Sequence, residues 1–230
     1  MGIEGNLEMV KRSIEKAAAA SGRKPEDIKL VAVTKTLPPE KIREAATLGM
    51  TCVGENRVQE ILDKYQRLKD LPLEWHMIGH LQRNKVKYII DKVALIHSVD
   101  TIELAKEINK RAGQAGKRAD VLLQVNVSGE ESKFGMDPGR VFDFLEQAQG
   151  LENVHIRGLM TIAPYTDKPE ETRPVFARLK AIFEEIKAVK LPGVDMDYLS
   201  MGMTGDYIIA IEEGANIVRI GTGIFGPRGR

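Results

Sequence analysis

Eight times along this chain, a short apolar run rich in β-branched residues is followed by a polar, turn-like break. After seven of these breaks comes a segment with helical spacing. That alternation restricts the fold more than any other feature. The strand-like runs are 28–34, 52–54, 73–79, 94–99, 120–127, 154–160, 198–200 and 216–220. The helical segments between them are 38–48, 58–68, 82–90, 101–114, 138–148, 169–189 and 204–212, and one more helix, about 4–20, precedes the first strand. Eight strand-then-helix units in 230 residues predict an α/β chain forming a TIM (β/α)8 barrel with an extra N-terminal helix. A doubly wound open sheet is the alternative. No linker, low-complexity run or composition shift marks a boundary, so 1–230 is expected to form a single domain.

In such a barrel the chemistry sits at the C-terminal ends of the strands. Lys35 is the most informative residue there. It closes the run Ile28-Lys29-Leu30-Val31-Ala32-Val33-Thr34-Lys35, and Thr36-Leu37-Pro38-Pro39 ends the strand at once. Desolvation at such a position lowers an amine's pKa, and a neutral amine can attack a carbonyl to form a Schiff base. The other strand-end polar residues are Asn56, His80, Ser128 with Lys133, Thr161, Ser200 and the Gly221-Thr222-Gly223 loop.

Two late segments suit an anion. Ser200-Met201-Gly202-Met203-Thr204-Gly205-Asp206 follows the seventh strand, and Ile220-Gly221-Thr222-Gly223 follows the eighth. Small residues let backbone N–H groups approach an oxyanion, hydroxyls donate, and a helix N-terminus adds positive potential. Phosphate sites after strands seven and eight recur in this fold. Arg219, turned opposite to its neighbours by strand alternation, reads as a barrel-lining or surface ion pair. Beside a heteroaromatic ligand, however, it could only donate to a ring nitrogen. Asn56 reads as a helix N-cap, His80 as a structural histidine, and Lys133 as an exposed lysine or a second amine near Lys35. His76, His97 and His155 fall inside strands without metal-ligand spacing.

Composition removes other classes. The net charge is +1, so no global field attracts nucleic acid or an anionic membrane. The basic tail Pro227-Arg228-Gly229-Arg230 is too short to change that. The single cysteine, Cys52, leaves no internal disulfide framework and no thiolate-based metal site, and reads as a buried structural thiol. No apolar stretch reaches the ~20 residues of a membrane span, and Met1 to Lys16 has no signal-peptide core. A cytoplasmic location is expected.

Several blocks together resemble one family. They are Ala32-Val33-Thr34-Lys35, Gly54-Glu55-Asn56-Arg57-Val58-Gln59-Glu60, His76-Met77-Ile78-Gly79-His80-Leu81-Gln82-Arg83-Asn84-Lys85, Ser132-Lys133-Phe134-Gly135, Gly158-Leu159-Met160, Leu199-Ser200-Met201-Gly202-Met203 and Val218-Arg219-Ile220-Gly221. In this order, from about residue 5 to 226, they are similar to the pyridoxal phosphate homeostasis protein family, which has the barrel of the alanine racemase N-terminal domain. The resemblance implies that Lys35 carries pyridoxal 5′-phosphate as a Schiff base. It implies that Ser200, Thr204, Gly221 and Thr222 hold the phosphate, that Arg219 faces the pyridine nitrogen, and that Asn56 and His80 line the remaining side. Thr204 stands where the family most often has serine, and keeps the hydroxyl.

Two functional classes compete under that resemblance. One is a cofactor carrier that buffers pyridoxal phosphate and supplies apo-enzymes. The other is an amino-acid racemase, which needs an acid or base on each face of the substrate carbanion. Lys35 could serve one face. In alanine racemase a tyrosine of the second domain serves the other, and this chain ends shortly after its eighth strand. Of Tyr65, Tyr88, Tyr165, Tyr198 and Tyr207, only Tyr165 is placed to reach a strand-end pocket. Arginine at the ring nitrogen would also make a poorer electron sink than a carboxylate would. The expectation is a carrier, without robust catalysis, and a monomer.

Overall fold

Strands that all run the same way need a crossover between each pair, and a helix on each crossover covers the outer sheet face. In the computed structural model, which describes residues 2–227, eight such strands close on themselves. They are β1 (Lys29–Val33), β2 (Cys52–Glu55), β3 (Glu74–Met77), β4 (Leu95–Val99), β5 (Ala119–Gln124), β6 (Val154–Met160), β7 (Val194–Ser200) and β8 (Ile217–Ile220). Each pairs in parallel with the next, and β8 returns to β1 with Val31 opposite Arg219. Closure removes the open-sheet alternative. Residues 228–230 of the basic tail lie outside the described part.

The helices are α1 (Ile3–Ala20), α2 (Pro39–Thr47), α3 (Val58–Arg67), α4 (Val86–Ile89), α5 (Ile102–Gln114), α6 (Val141–Ala148), α7 (Arg173–Val189), α8 (Tyr207–Glu212) and α9 (Thr222–Phe225). Two differences from expectation matter. β7 begins at Val194, before the expected 198, because Asp195 and Asp197 interrupt its apolar pattern. Those carboxylates pair with His155 and Arg157 of β6. α8 begins at Tyr207, after the expected 204, which leaves 201–206 as a loop at the barrel mouth.

Alternation along each strand separates two cores. Val31, Cys52, Leu95, Leu122, Met160 and Ile217 fill the barrel interior. Their neighbours Ala32, Val53, Ile96, Val121, Leu123, Leu159 and Val218 face the helices. The same parity carries upward: Lys35 follows Val31, Asn56 follows Cys52, and Arg219 follows Ile217. β6 and β7 approach closely at Gly158, whose φ is +147° and where a Cβ would lie 1.8 Å from the Tyr198 carbonyl oxygen.

Among the described residues, the four-residue α9 follows β8. α1 packs against α8 and α9, burying Ile3, Leu7, Val10, Ile14 and Ala17 along one helical stripe. Asn6 Nδ2 donates to the Ile224 carbonyl at 3.0 Å.

Candidate functional site

Lys35 sits two residues past the end of β1, half-buried, and the turn that carries it is strained. Thr36 has φ +64°, a left-handed conformation unfavourable for a β-branched residue. Its N–H donates to Glu60 Oε2 at 2.6 Å, and Leu37 N–H closes onto the Thr34 carbonyl at 3.0 Å. Behind the turn, between sheet and α3, Lys64 is nearly fully buried. Its Nζ donates to the Thr34 carbonyl, Glu55 Oε1 and Glu60 Oε2 at 2.8, 2.8 and 2.7 Å. Thr34 Oγ1 donates to the same Glu55 oxygen at 2.6 Å. Burial raises the Glu55 carboxyl above its ordinary range, against hydrogen bonds from Lys64 and Thr34. Burial also opposes ionisation of Glu60, but bonds from Lys64 and Thr36 hold its carboxyl below the usual range. This knot fixes the backbone on both sides of Lys35.

Arg219 is 4% exposed. The ion pair expected for it does not form: among the described residues no carboxylate touches it. Its Nη1 donates to Ser200 Oγ at 2.5 Å and its Nη2 to the Thr161 carbonyl at 2.8 Å. Because β6 and β7 end at Met160 and Ser200, the guanidinium is anchored where those strands open into the mouth. Burial brings it down to about 10, partly offset by the nearby Asp206 carboxylate, so it stays a cation at neutral pH. A guanidinium has five N–H donors, and these bonds engage two of them.

The loops after β7 and β8 meet through their threonines. Thr204 and Thr222 hydroxyls lie 3.3 Å apart, and Gly223 N–H donates to Thr204 Oγ1 at 3.3 Å. A Cβ at Gly223 would press on Ile220 and Thr204, so the loops approach this closely only with glycine there. Asp206 takes the Met203 N–H at 2.5 Å and shapes the first loop. The structure thus brings Thr204, Gly221 and Thr222 together. Ser200 lies apart from that pair: its Oγ is fully buried against Arg219 and His97.

Asn56 is not the N-cap of α3. Arg57 occupies that position, and Asn56 turns inward, where its Oδ1 is buried without a hydrogen-bond partner. His80 is exposed and stacks on Phe134 of the loop after β5, with ring centroids 4.1 Å apart. Lys133 in that loop is partly buried, not an open surface lysine, and pairs with Glu130 at 2.8 Å. In strand order β5 is diametrically opposite β1, so the loop that carries Lys133 and the turn that carries Lys35 follow opposite strands of the barrel. Tyr165 is 92% exposed, its hydroxyl donating to Asp167 at 3.2 Å. It therefore stands outside the mouth it was expected to reach.

Sequence reasoning also missed the polar interior of the barrel. His76 Nδ1 and His97 Nε2 are 2.8 Å apart, and His97 Nδ1 meets Ser200 Oγ at 2.9 Å. His76 Nε2 meets Glu74 Oε1 at 2.7 Å, and Lys29 Nζ donates to the same oxygen at 2.8 Å. Cys52 approaches Glu74 and His76 as well. Burial pushes its thiol up, so it remains protonated beside an oxygen already bound by Lys29 and His76. Strand register and barrel closure, invisible in one sequence, bring these groups together.

The site therefore offers an amine on a braced turn, a donor-only cation at the strand ends, an unpartnered amide oxygen and two joined hydroxyl-bearing loops. These suit an aromatic ligand carrying a carbonyl and a phosphate. Residues 6–229 match the family model of the alanine racemase N-terminal domain. A protein of Aquifex aeolicus called pyridoxal phosphate homeostasis protein is 50% identical over 222 residues, spanning 96% of each chain. The structure of PipY from Synechococcus elongatus, with PLP bound, superimposes with a TM-score of 0.82 at 38% identity, covering 93% of this chain and 100% of that one. Alanine racemase of Clostridium difficile gives a TM-score of 0.75 at 17% identity, covering 100% of this chain and 60% of its own, a likeness of fold alone. Among the described residues no helix is long and apolar enough to cross a membrane.

Proposed function

Since this chain belongs to the alanine racemase N-terminal-domain family, and within it to the pyridoxal phosphate homeostasis proteins, we propose that it binds pyridoxal 5′-phosphate at the barrel mouth and holds it for other proteins without turning over a substrate. The observation that carries this is Arg219: a buried cation with no carboxylate in contact among the described residues, anchored at the strand ends with donors to offer. Such a group suits an electron-rich acceptor, and an unprotonated pyridine nitrogen is one.

When bound, the cofactor supplies an aldehyde, a ring nitrogen and a phosphate. Lys35 provides the amine for the aldehyde, on a turn whose geometry Glu60 and Lys64 fix in advance. Arg219, which can only donate, would face the ring nitrogen, where a donor suits a ring that serves as a weak electron sink. Thr204, Thr222 and the Gly221 backbone would hold the phosphate, and Ser200 would join them once its hydroxyl proton is released from His97. Asn56 and His80 line the open side. Tyr165, turned to Asp167 in solvent, offers no second acid or base for racemisation. We extend the proposal to a monomeric, cytoplasmic carrier, one domain over 1–230, that buffers the cofactor and passes it to apo-enzymes.

Purified protein incubated with pyridoxal phosphate should turn yellow, and borohydride reduction should fix the adduct on Lys35. Lys35→Ala should lose the adduct but keep weaker, phosphate-anchored binding. Protein that takes up no cofactor overturns the proposal. A full-stoichiometry adduct in Lys35→Ala moves the attachment to another amine, Lys133 first. Conversion of an L-amino acid to its D form at ~1 per second or faster replaces the carrier with a racemase.

A further inference from the structure

Five polar side chains cross the barrel interior in one unbroken line, from Arg219 through Ser200, His97 and His76 to Glu74. Successive contacts are 2.5, 2.9, 2.8 and 2.7 Å. Its two ends fix every proton between them. Arg219 can only donate and an ionised Glu74 can only accept. Ser200 Oγ accepts from Arg219, and with Glu74 accepting and both imidazoles neutral its own proton goes to His97 Nδ1. His97 then carries its proton on Nε2 and gives it to His76 Nδ1, and His76 gives its Nε2 proton to Glu74. Both histidines are neutral in this state. Hydrogen bonds from His76 and Lys29 hold the Glu74 carboxyl down to about 2, against burial. Burial holds both imidazoles below their ordinary range, His97 well below.

This polarity conflicts with Ser200 as a phosphate donor, because its only proton already goes to His97. We propose that the line is a proton-coupled binding device, in which an acceptor at the mouth takes the Ser200 hydroxyl proton as a hydrogen bond while one solvent proton enters at the Glu74 end. The inference rests on the proposed cofactor site. The protons balance as follows. Ser200 keeps its O–H and turns it to the ligand. His97 moves its proton from Nε2 to Nδ1 and donates to Ser200. His76 gains the added proton, donates from Nδ1 to His97, and donates from Nε2 to Glu74. No other group changes its proton count. The entry point is open: the Lys29 and Glu74 side chains are 32% and 39% exposed.

The groups facing this line are few. β1 contributes Lys29, β2 the protonated Cys52, and β7 Tyr198, whose ring lies under Lys29 and Arg157. Asp120 of β5 holds Arg157. Asp206, after β7, acts on Arg219. Among the described residues, no other carboxylate contacts either histidine.

Glu74→Gln is the decisive variant. The glutamine amide can rotate to donate to His76 Nε2, so the line reverses without an added proton. The position is half-exposed and away from the mouth. Calorimetric titration with pyridoxal phosphate, in two buffers of different ionisation enthalpy, counts the protons exchanged. Subtracting the variant cancels protons exchanged by the ligand and by Lys35. Wild type is expected to take up about one proton more than Glu74→Gln, and its affinity to fall about ten-fold more per pH unit. His97→Leu, which frees the Ser200 proton outright, should match Glu74→Gln. A structural contribution from Glu74 leaves the count unchanged. Nitrogen-15 spectra of the free protein should show both histidines protonated on Nε2 alone. Equal proton counts in wild type and variants, or an Nδ1–H histidine in the free protein, overturn the device while leaving the cofactor site standing. Absence of any binding overturns the site and the inference together.

Discussion

Replacing Lys64 with methionine tests how the turn beneath Lys35 is held. Methionine keeps the unbranched stem but removes the ammonium, and three contacts disappear: those to the Thr34 carbonyl, Glu55 and Glu60. Glu55 is left with its side chain at 0% exposure and its Oε2 already without a partner. With both partners this deep, solvent screening gives little relief. Removing one member of a buried pair costs about 3–5 kcal/mol, a melting-temperature drop of roughly 6–20 °C in a chain of this size. The loss should depend on pH with a definite sign. Burial already raises the folded-state Glu55 carboxyl, and losing Lys64 raises it further. A raised carboxyl binds its proton more tightly in the folded chain, so stability falls as pH rises from the ordinary Glu value through the raised one. The variant's deficit should therefore be largest near pH ~8 and shrink toward pH ~5 as Glu55 takes up a proton. Urea denaturation of both proteins across that range is the assay. A deficit under about 1 kcal/mol, the scale of an exposed pair, or one independent of pH, would refute the idea that Lys64 neutralises a buried charge.

Two further substitutions probe the backbone. Thr36→Gly should be neutral or stabilising by up to about 1 kcal/mol, because relief of left-handed strain offsets glycine's greater freedom in the unfolded chain. It should also weaken cofactor binding by loosening the Lys35 turn. Thermal unfolding and a cofactor titration read the two effects, and a loss of more than about 1 kcal/mol would show that the Thr36 side chain makes an unrecognised contact. Gly158→Ala places a Cβ 1.8 Å from the Tyr198 carbonyl oxygen. Backbone on both sides prevents relief, so the variant should not accumulate as folded protein. A native-like circular dichroism spectrum and melting curve would contradict that geometry.

The barrel was legible because its signals are local. β-branched runs, prolines at helix starts and amphipathic spacing each speak for a few residues, and the eight-fold alternation adds them. Lys35 and the two late loops were legible for the same reason: each lies just past a strand end. What stayed hidden depends on parity or register. Asn56 was expected to cap a helix, but α3 starts with Arg57 as its cap, and that one-residue offset sends the amide into the barrel. Arg219 was expected in an ion pair, yet its partners are a hydroxyl and a carbonyl 19 and 58 residues away in sequence. His76 and His97 each resembled an isolated strand histidine until β3 and β4 set them side by side. The start of β7 was obscured by aspartates whose partners lie on β6.

The position of α1 bears on how the molecule assembles. This helix precedes every other described element, yet it covers α8 and α9, and its Asn6 bonds a carbonyl 218 residues later. During synthesis its apolar stripe meets α2 early, but the larger surface it rests on, α8 and α9, emerges only with the last strand. Contacts so distant in sequence pay the full loop-closure entropy before they return any stability. Docking of α1 should thus be a late event in folding, and the interval before it is when this chain most needs protection from aggregation.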